Sequence, residues 1–122
     1  YLEQITITDG LIGQILEAVK DAGVFDDSLI ILLSDHGGNA KDHGTDHPDC
    51  MTTFWACRGP GVVPGANVDD MNIMDTAAIV AFALELTRPA GWQAKIPGGL
   101  FSQQNTGSAA KLDEKYSKFN HR

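Results

Sequence analysis

The chain has 122 residues, 43% of them hydrophobic and 20% charged, with a formal charge of −7, which fits one soluble globular domain and excludes disorder throughout. Nine Lys and Arg against sixteen Asp and Glu are the wrong balance for a surface that gains affinity by neutralising a phosphate backbone, so nucleic-acid binding is disfavoured as the main role. No run approaches the roughly 18 apolar residues that span a bilayer, and the start lacks the basic-then-apolar pattern of a signal peptide.

The chain opens at Tyr1, directly in amphipathic sequence, and reads as a piece of a longer protein. Ile5, Leu11, Ile12, Ile15, Leu16 and Val19 recur at helical spacing and predict a helix over 2–22. Against it stand the β-branched Ile5 to Thr8 and the pair Gly10 and Gly13, each glycine costing about 1 kcal/mol relative to Ala. Gly23 stands where a residue just past a helix end belongs.

Residues 28–34 form a continuous apolar run without polar alternation, expected as an interior strand of a parallel or mixed sheet, covered on both faces. Residues 35–50, with Gly37, Gly38, Gly44 and Pro48, read as loop. A second strand is expected over 51–57, closed by the turn Arg58-Gly59-Pro60-Gly61. Asp75 then caps a helix over 76–86, apolar nearly all round and therefore buried, with Pro89 marking its end. Two strands cannot make a sheet covered on both faces, so further strands are expected from the parent chain or another subunit.

Cys50 and Cys57 match no zinc-ribbon or redox pair and make no disulfide framework. Both are expected to pack as small apolar residues, and on one strand they would stand too far apart to bridge. From Ser102 onward the chain is polar, and 108–122 carries four bases against two acids. This stretch, 102–122, reads as a solvated tail with a short helix over 109–119, and His121 within it as uninvolved.

Chemistry concentrates between positions 35 and 49, which hold His36, His43 and His47 together with Asp35, Asp42, Asp46 and Asp49. Asp35 and His36 follow an apolar strand directly, and open α/β sheets place ligands at that carboxyl end. A carboxylate with imidazoles is the donor set that borderline divalent ions such as zinc prefer. Gly37 and Gly38 would let the backbone turn and bring His43 back toward the same ion. His47 and Asp46 read as a solvated loop pair, Asp42 as surface, and Asp49 with Pro48 as turn chemistry. Trp55 is expected in the core and Trp92 packing a loop, with Met71 and Met74 packing at the entry to the last helix.

The run Ser34-Asp35-His36-Gly37-Gly38, then His43-Gly44, Met51-Thr52-Thr53, Gly59-Pro60-Gly61-Val62 and Met74-Asp75-Thr76 resembles the alkaline phosphatase superfamily. It is most similar to the type I phosphodiesterase/nucleotide pyrophosphatase-like and sulfatase-like members. The resemblance implies a three-layer α/β/α domain on a mostly parallel mixed sheet, of which 1–101 would be the C-terminal portion. It further implies two divalent metal ions, commonly zinc, with Asp35 and His36 on one and His43 on the other. The Ser or Thr nucleophile and remaining ligands lie upstream in such proteins, so neither Ser34 nor Thr45 matches the nucleophile and the fragment alone should be inactive. The implied partners are a small phosphate or sulfate ester and the N-terminal part of the same chain, with no membrane in this segment. The resemblance implies a periplasmic or extracellular place.

Two departures leave the ligands untouched: Phe54-Trp55 where many relatives have Pro, and Thr45 where many have a second Gly. The Lys and Glu-Gly-Gly pattern common in true sulfatases is absent after the Asp-His step, which favours a phosphodiester or phosphomonoester substrate. The alternatives are a sulfatase, a phosphoethanolamine transferase and a degenerate member used for binding.

Overall fold

The computed structural model describes residues 1–102; the proposed tail helix and His121 lie outside the described residues. The elements run α1 Leu2–Asp21, β1 Ile30–Leu33, α2 Pro48–Met51, β2 Trp55–Arg58 and α3 Asp75–Ala83, an α/β organisation. Among the described residues no helix is long and apolar enough to cross a membrane.

The expected first helix is present despite its β-branched turns, whose preference against helix is worth only tenths of a kcal/mol, about 0.7 at most per residue. It ends in a Schellman motif. Gly23 takes φ 71°, and the amides of Gly23 and Val24 return to the carbonyls of Lys20 and Val19, satisfying the last orphan acceptors of the helix. Yet α1 buries none of its residues, and Leu11 and Ile15 stand more than half exposed. Its apolar stripe has no partner among the described residues.

β1 and β2 pair antiparallel, Ile31 opposite Cys57 and Leu33 opposite Trp55. Ile30 and Ile31 are half-buried, while Leu32 and Leu33, which point to opposite faces of the strand, remain 38% and 36% exposed among the described residues. The sheet has two strands among the described residues, and the further strands expected from the parent chain or another subunit lie outside them. The second strand also starts later than expected, because Met51 belongs to α2. Pro48 suits the first helical turn, where its missing N–H has no partner to lose. Cys50 therefore lies on α2 and Cys57 on β2, both as free thiols, and burial pushes the Cys57 thiol above its ordinary range.

The core forms where α3 meets the last described residues. Ile79, Phe82, Leu100 and Phe101 are buried together, with Ile31, Trp55 and Cys57 packed against them from the sheet and Leu29 from just before it. The rings of Phe82 and Phe101 sit 4.7 Å apart, tilted by 52°, in the range aromatic pairs favour. Val63 N–H donates to Leu100 O and Ser102 N–H to Gly61 O, zipping 100–102 onto the turn beyond β2. Trp55 reaches α3, its Nε1–H donating to Thr76 Oγ1 at 3.1 Å. Trp92, by contrast, stays 43% exposed.

Asp75 does not cap α3. Met74 holds that position, while the Asp75 carboxylate, 1% exposed, accepts Asn72 N–H at 2.9 Å and Lys95 N–H at 2.8 Å. A carboxylate buried this deeply survives by being fully hydrogen-bonded, and here it ties the loop before α3 to the segment after it. Only one face of α3 is buried, with Val80 and Leu84 on the exposed side. The helix stops six residues before Pro89 in a second Schellman motif, with Glu85 at φ 53° and Leu86 N–H returning to Ala81 O.

Candidate functional site

The residues that bear chemistry gather where β1 ends and β2 begins. Leu33 pairs with Trp55, so the segment 34–54 leaves and re-enters the sheet at one end. Thr53 Oγ1–H donates to Ser34 O at 3.3 Å, and Ser34 Oγ–H donates to His36 O at 2.9 Å. These bonds pin the strand exit that carries Asp35 and His36.

His36 has a defined tautomer. Its Nδ1 lies 2.7 Å from Gly37 O, and a carbonyl only accepts, so Nδ1 carries a proton, and in the neutral imidazole Nε2 is the acceptor. Nε2 stands 3.5 Å from Asp35 Oδ2. Two donors each about 2.1 Å from a tetrahedral zinc ion would be separated by about 3.4 Å, a spacing that this pair matches. The Asp35 backbone arrangement supports it, since its Oδ1 accepts His36 N–H at 3.0 Å and leaves Oδ2 facing the ring.

His43 comes back beside His36, the rings stacked with centroids 4.6 Å apart and planes within 8°. Ring nitrogen lone pairs lie in the ring plane, so parallel stacked rings cannot both aim at one ion. The pair suits two neighbouring ions of the kind that stand about 3.5–4 Å apart. Among the described residues no group of three or more His, Cys, Asp or Glu side chains is arranged to hold a metal ion; the fit is therefore that of a partial donor set, Asp35 with His36 on one side and His43 on the other.

The turn that returns His43 differs from the expected one. Gly37 and Gly38 supply no left-handed residue; Ala40 does, at φ 55°, between Asn39 and Asp42, whose backbones exchange two bonds of 2.9 Å. Gly37 is needed for space instead. A Cβ there would meet Asp49 O at 2.0 Å and Thr52 O at 2.2 Å, because the strand exit is laid directly on α2 and its amide donates to Cys50 O.

Asp42, expected as plain surface, shapes the His43 turn. Its Oδ1 accepts His43 N–H at 2.7 Å and Gly44 N–H at 3.1 Å. The Gly44 amide foremost, then the His43 amide, hold this carboxyl below the usual carboxylate range, although it is open to solvent. His47 also serves the structure, since its Nδ1 accepts Asp49 N–H at 3.2 Å and caps α2, with the Asn39 amide 2.9 Å from the same nitrogen. Asn39 and Cys50 are the contributors that sequence reasoning passed over. Asn39-Ala40-Lys41-Asp42 carries an Asn/Asp turn signal that could have exposed the first; nothing in composition marks the second.

The sulfatase family model matches residues 1–70, more than half of the 122-residue chain. The chain belongs to the sulfatase family. An endo-4-O-sulfatase from Bacteroides thetaiotaomicron is 34% identical over 77 residues, covering 58% of this chain and 15% of that protein. Arylsulfatase K from Danio rerio is 28% identical over 78 residues, 56% of this chain and 14% of its own length. The chain thus spans about one-seventh of these curated relatives. No solved structure matches it. The family match spans the whole segment from α1 through the Asp35, His36 and His43 cluster to the turn beyond β2, so the sulfatase-like side of the superfamily resemblance is the one the comparisons carry.

Proposed function

We propose that the protein containing this sulfatase-family chain hydrolyses sulfate esters with divalent metal ions, Asp35 and His36 holding one ion and His43 a second. The observation that carries the reading is the spacing of 3.5 Å between His36 Nε2 and Asp35 Oδ2 beside the stacked His43 ring. Zinc suits this carboxylate and imidazole set. When bound, such ions supply Lewis acidity toward the ester oxygens. The chain's own residues hold and orient: Gly37 O fixes the His36 tautomer, the Asp35 main-chain bond leaves Oδ2 toward the His36 ring, and Asp42 sets the backbone on which His43 rides.

The nucleophile and the remaining ligands belong, in this reading, to the rest of the protein, and the fragment alone is inactive. The rest of the domain would also complete a three-layer α/β/α fold whose further strands cover Leu32 and the stripe of α1. A phosphate ester substrate is the second reading, favoured by the absence of the Lys and Glu-Gly-Gly pattern after the Asp-His step.

The test is turnover of aryl sulfate, aryl phosphate monoester and phosphodiester probes by the full-length protein, with elemental analysis before and after chelation. Sulfate ester turnover lost with the metal and restored by zinc is the expected result. Phosphate turnover without sulfate turnover would move the substrate to the second reading, and transfer of the group to an added alcohol would make the protein a transferase. Turnover indifferent to complete chelation would overturn the metal reading. A metal-free protein with no turnover would leave a binding module.

A further inference from the structure

We infer that Cys50 is a positioning residue for His43, a buried thiol whose hydrogen bonds fasten the histidine turn to α2. This inference rests on the reading of His36 and His43 as metal ligands. Across the first 74 residues Cys50 is the only side chain that is fully buried, at 2% exposure. The residues around it are exposed or half-buried, so the thiol is the most deeply packed side chain beneath the site.

Its polar contacts are complete and directional. Thr45 Oγ1–H donates to Cys50 Sγ at 3.5 Å, and the thiol proton has Asp42 O as its acceptor at 3.8 Å. His47 N–H donates in turn to Thr45 Oγ1 at 3.3 Å. A thiol has one proton to give and a weak acceptor to offer, and both are used. The two residues it touches, Asp42 and Thr45, bracket His43-Gly44, so the sulfur spans the turn from which the imidazole projects.

The same residue holds the other arm. Its backbone carbonyl accepts Gly37 N–H at 2.9 Å, and its amide donates to His47 O at 2.8 Å. Gly37 follows His36 directly and accepts the His36 ring proton. Cys50 is therefore joined by its side chain to the His43 turn and by its main chain to the His36 exit. The ring stacking at 4.6 Å is a distance between two arms that share this one buried anchor. Groups that orient ligands in this indirect way change metal affinity by about 10- to 100-fold when removed.

Three variants of the full-length protein separate hydrogen bonding from volume. Cys50→Ala removes both side-chain bonds, Cys50→Val fills the space without them, and Cys50→Ser keeps one donor and one acceptor. Two readouts are taken: Zn²⁺ affinity by titration of the ion alone, and the ring resonances of ¹³C-labelled histidine in the metal-free protein, which report stacking. Ala and Val are expected to move the His36 and His43 resonances toward unstacked values and to weaken Zn²⁺ binding by about tenfold, with Ser restoring both.

Unchanged resonances and affinity in a folded Cys50→Val variant would overturn the inference, leaving Cys50 a packing residue only. Lower melting temperatures in all three with resonances unmoved would do the same. A wild-type protein that binds no Zn²⁺ would overturn the metal assignment itself, and the resonances would still decide whether Cys50 sets the pair.

Discussion

Replacing Gly37 by Ala tests how the site is held. The new Cβ would lie 2.0 Å from Asp49 O and 2.2 Å from Thr52 O, where real Cβ atoms essentially never come under 3.0 Å. Both obstacles are backbone carbonyls, so the strand exit must retreat from α2 by about 1 Å, since a close-packed contact between main chains has no flexible side chain to yield. Overpacking of this kind costs about 1–3 kcal/mol. The retreat also breaks the 2.9 Å bond from Gly37 N–H to Cys50 O, worth about 1 kcal/mol, for a total of about 2–4 kcal/mol. Because Gly37 adjoins His36, a displacement of this size should also lower turnover by about 100-fold. Gly38→Ala is the control: its Cβ would meet Asp42 O at an ordinary 3.6 Å, with a change within about 0.5 kcal/mol. Urea titration of the full-length protein, compared at equal slope, measures both. A Gly37→Ala midpoint indistinguishable from that of Gly38→Ala would refute the close approach on which the argument rests.

His43→Ala in the full-length protein should lower turnover by about 100-fold or more while leaving the urea midpoint nearly unchanged, since the ring is exposed and removes little packing; near-normal turnover would take His43 out of the site. Glu85→Gly relieves a left-handed residue at the end of α3 and should raise stability by about 0.5–1 kcal/mol, a gain that thermal unfolding would show and that an unchanged midpoint would deny. The 2.9 Å contact between Lys95 Nζ and Asp70 lowers the Asp70 pKa and raises that of Lys95, the hydrogen bond being the larger cause in each case. The Asp70 contribution is thus present above its unfolded value and lost as pH falls through its depressed folded value. The Lys95 contribution is present below its unfolded value and lost as pH rises through its elevated folded value. Between those limits Lys95→Met should be slightly less stable than the wild type, the gap closing at both extremes and in high salt; a gap that is constant with pH would exclude the ion pair as its source.

How much could be read from the chain varies with how local the cause is. α1 was legible because a stripe at helical spacing and a Gly at the helix end act within a few residues, and the Schellman motif at Gly23 confirms the stop. The strand over 30–33 was legible from its apolar run, but its neighbours were not. A run of Ile and Leu records that burial is needed, without recording which strand supplies it, and β1 meets an antiparallel partner that leaves Leu32 and Leu33 exposed among the described residues. Asp75 shows the same limit from the other side. Its place before an apolar helix made it a cap, whereas its carboxylate is spent on Asn72 and on Lys95, twenty residues away.

The candidate donors and their place were legible in the sequence, because donor type is a property of single residues and the step from an apolar strand to Asp35-His36 puts them at a sheet end. The arrangement of those donors was decided by the tertiary structure alone. The stacking of His43 on His36 depends on a left-handed Ala40 rather than on the two glycines, on a short helix seeded by His47 and Pro48, and on a buried thiol reaching Asp42 and Thr45. Each of these is a contact between residues brought together by the returning chain. Its energy exists only once the turn has closed, so no residue along the sequence announces it.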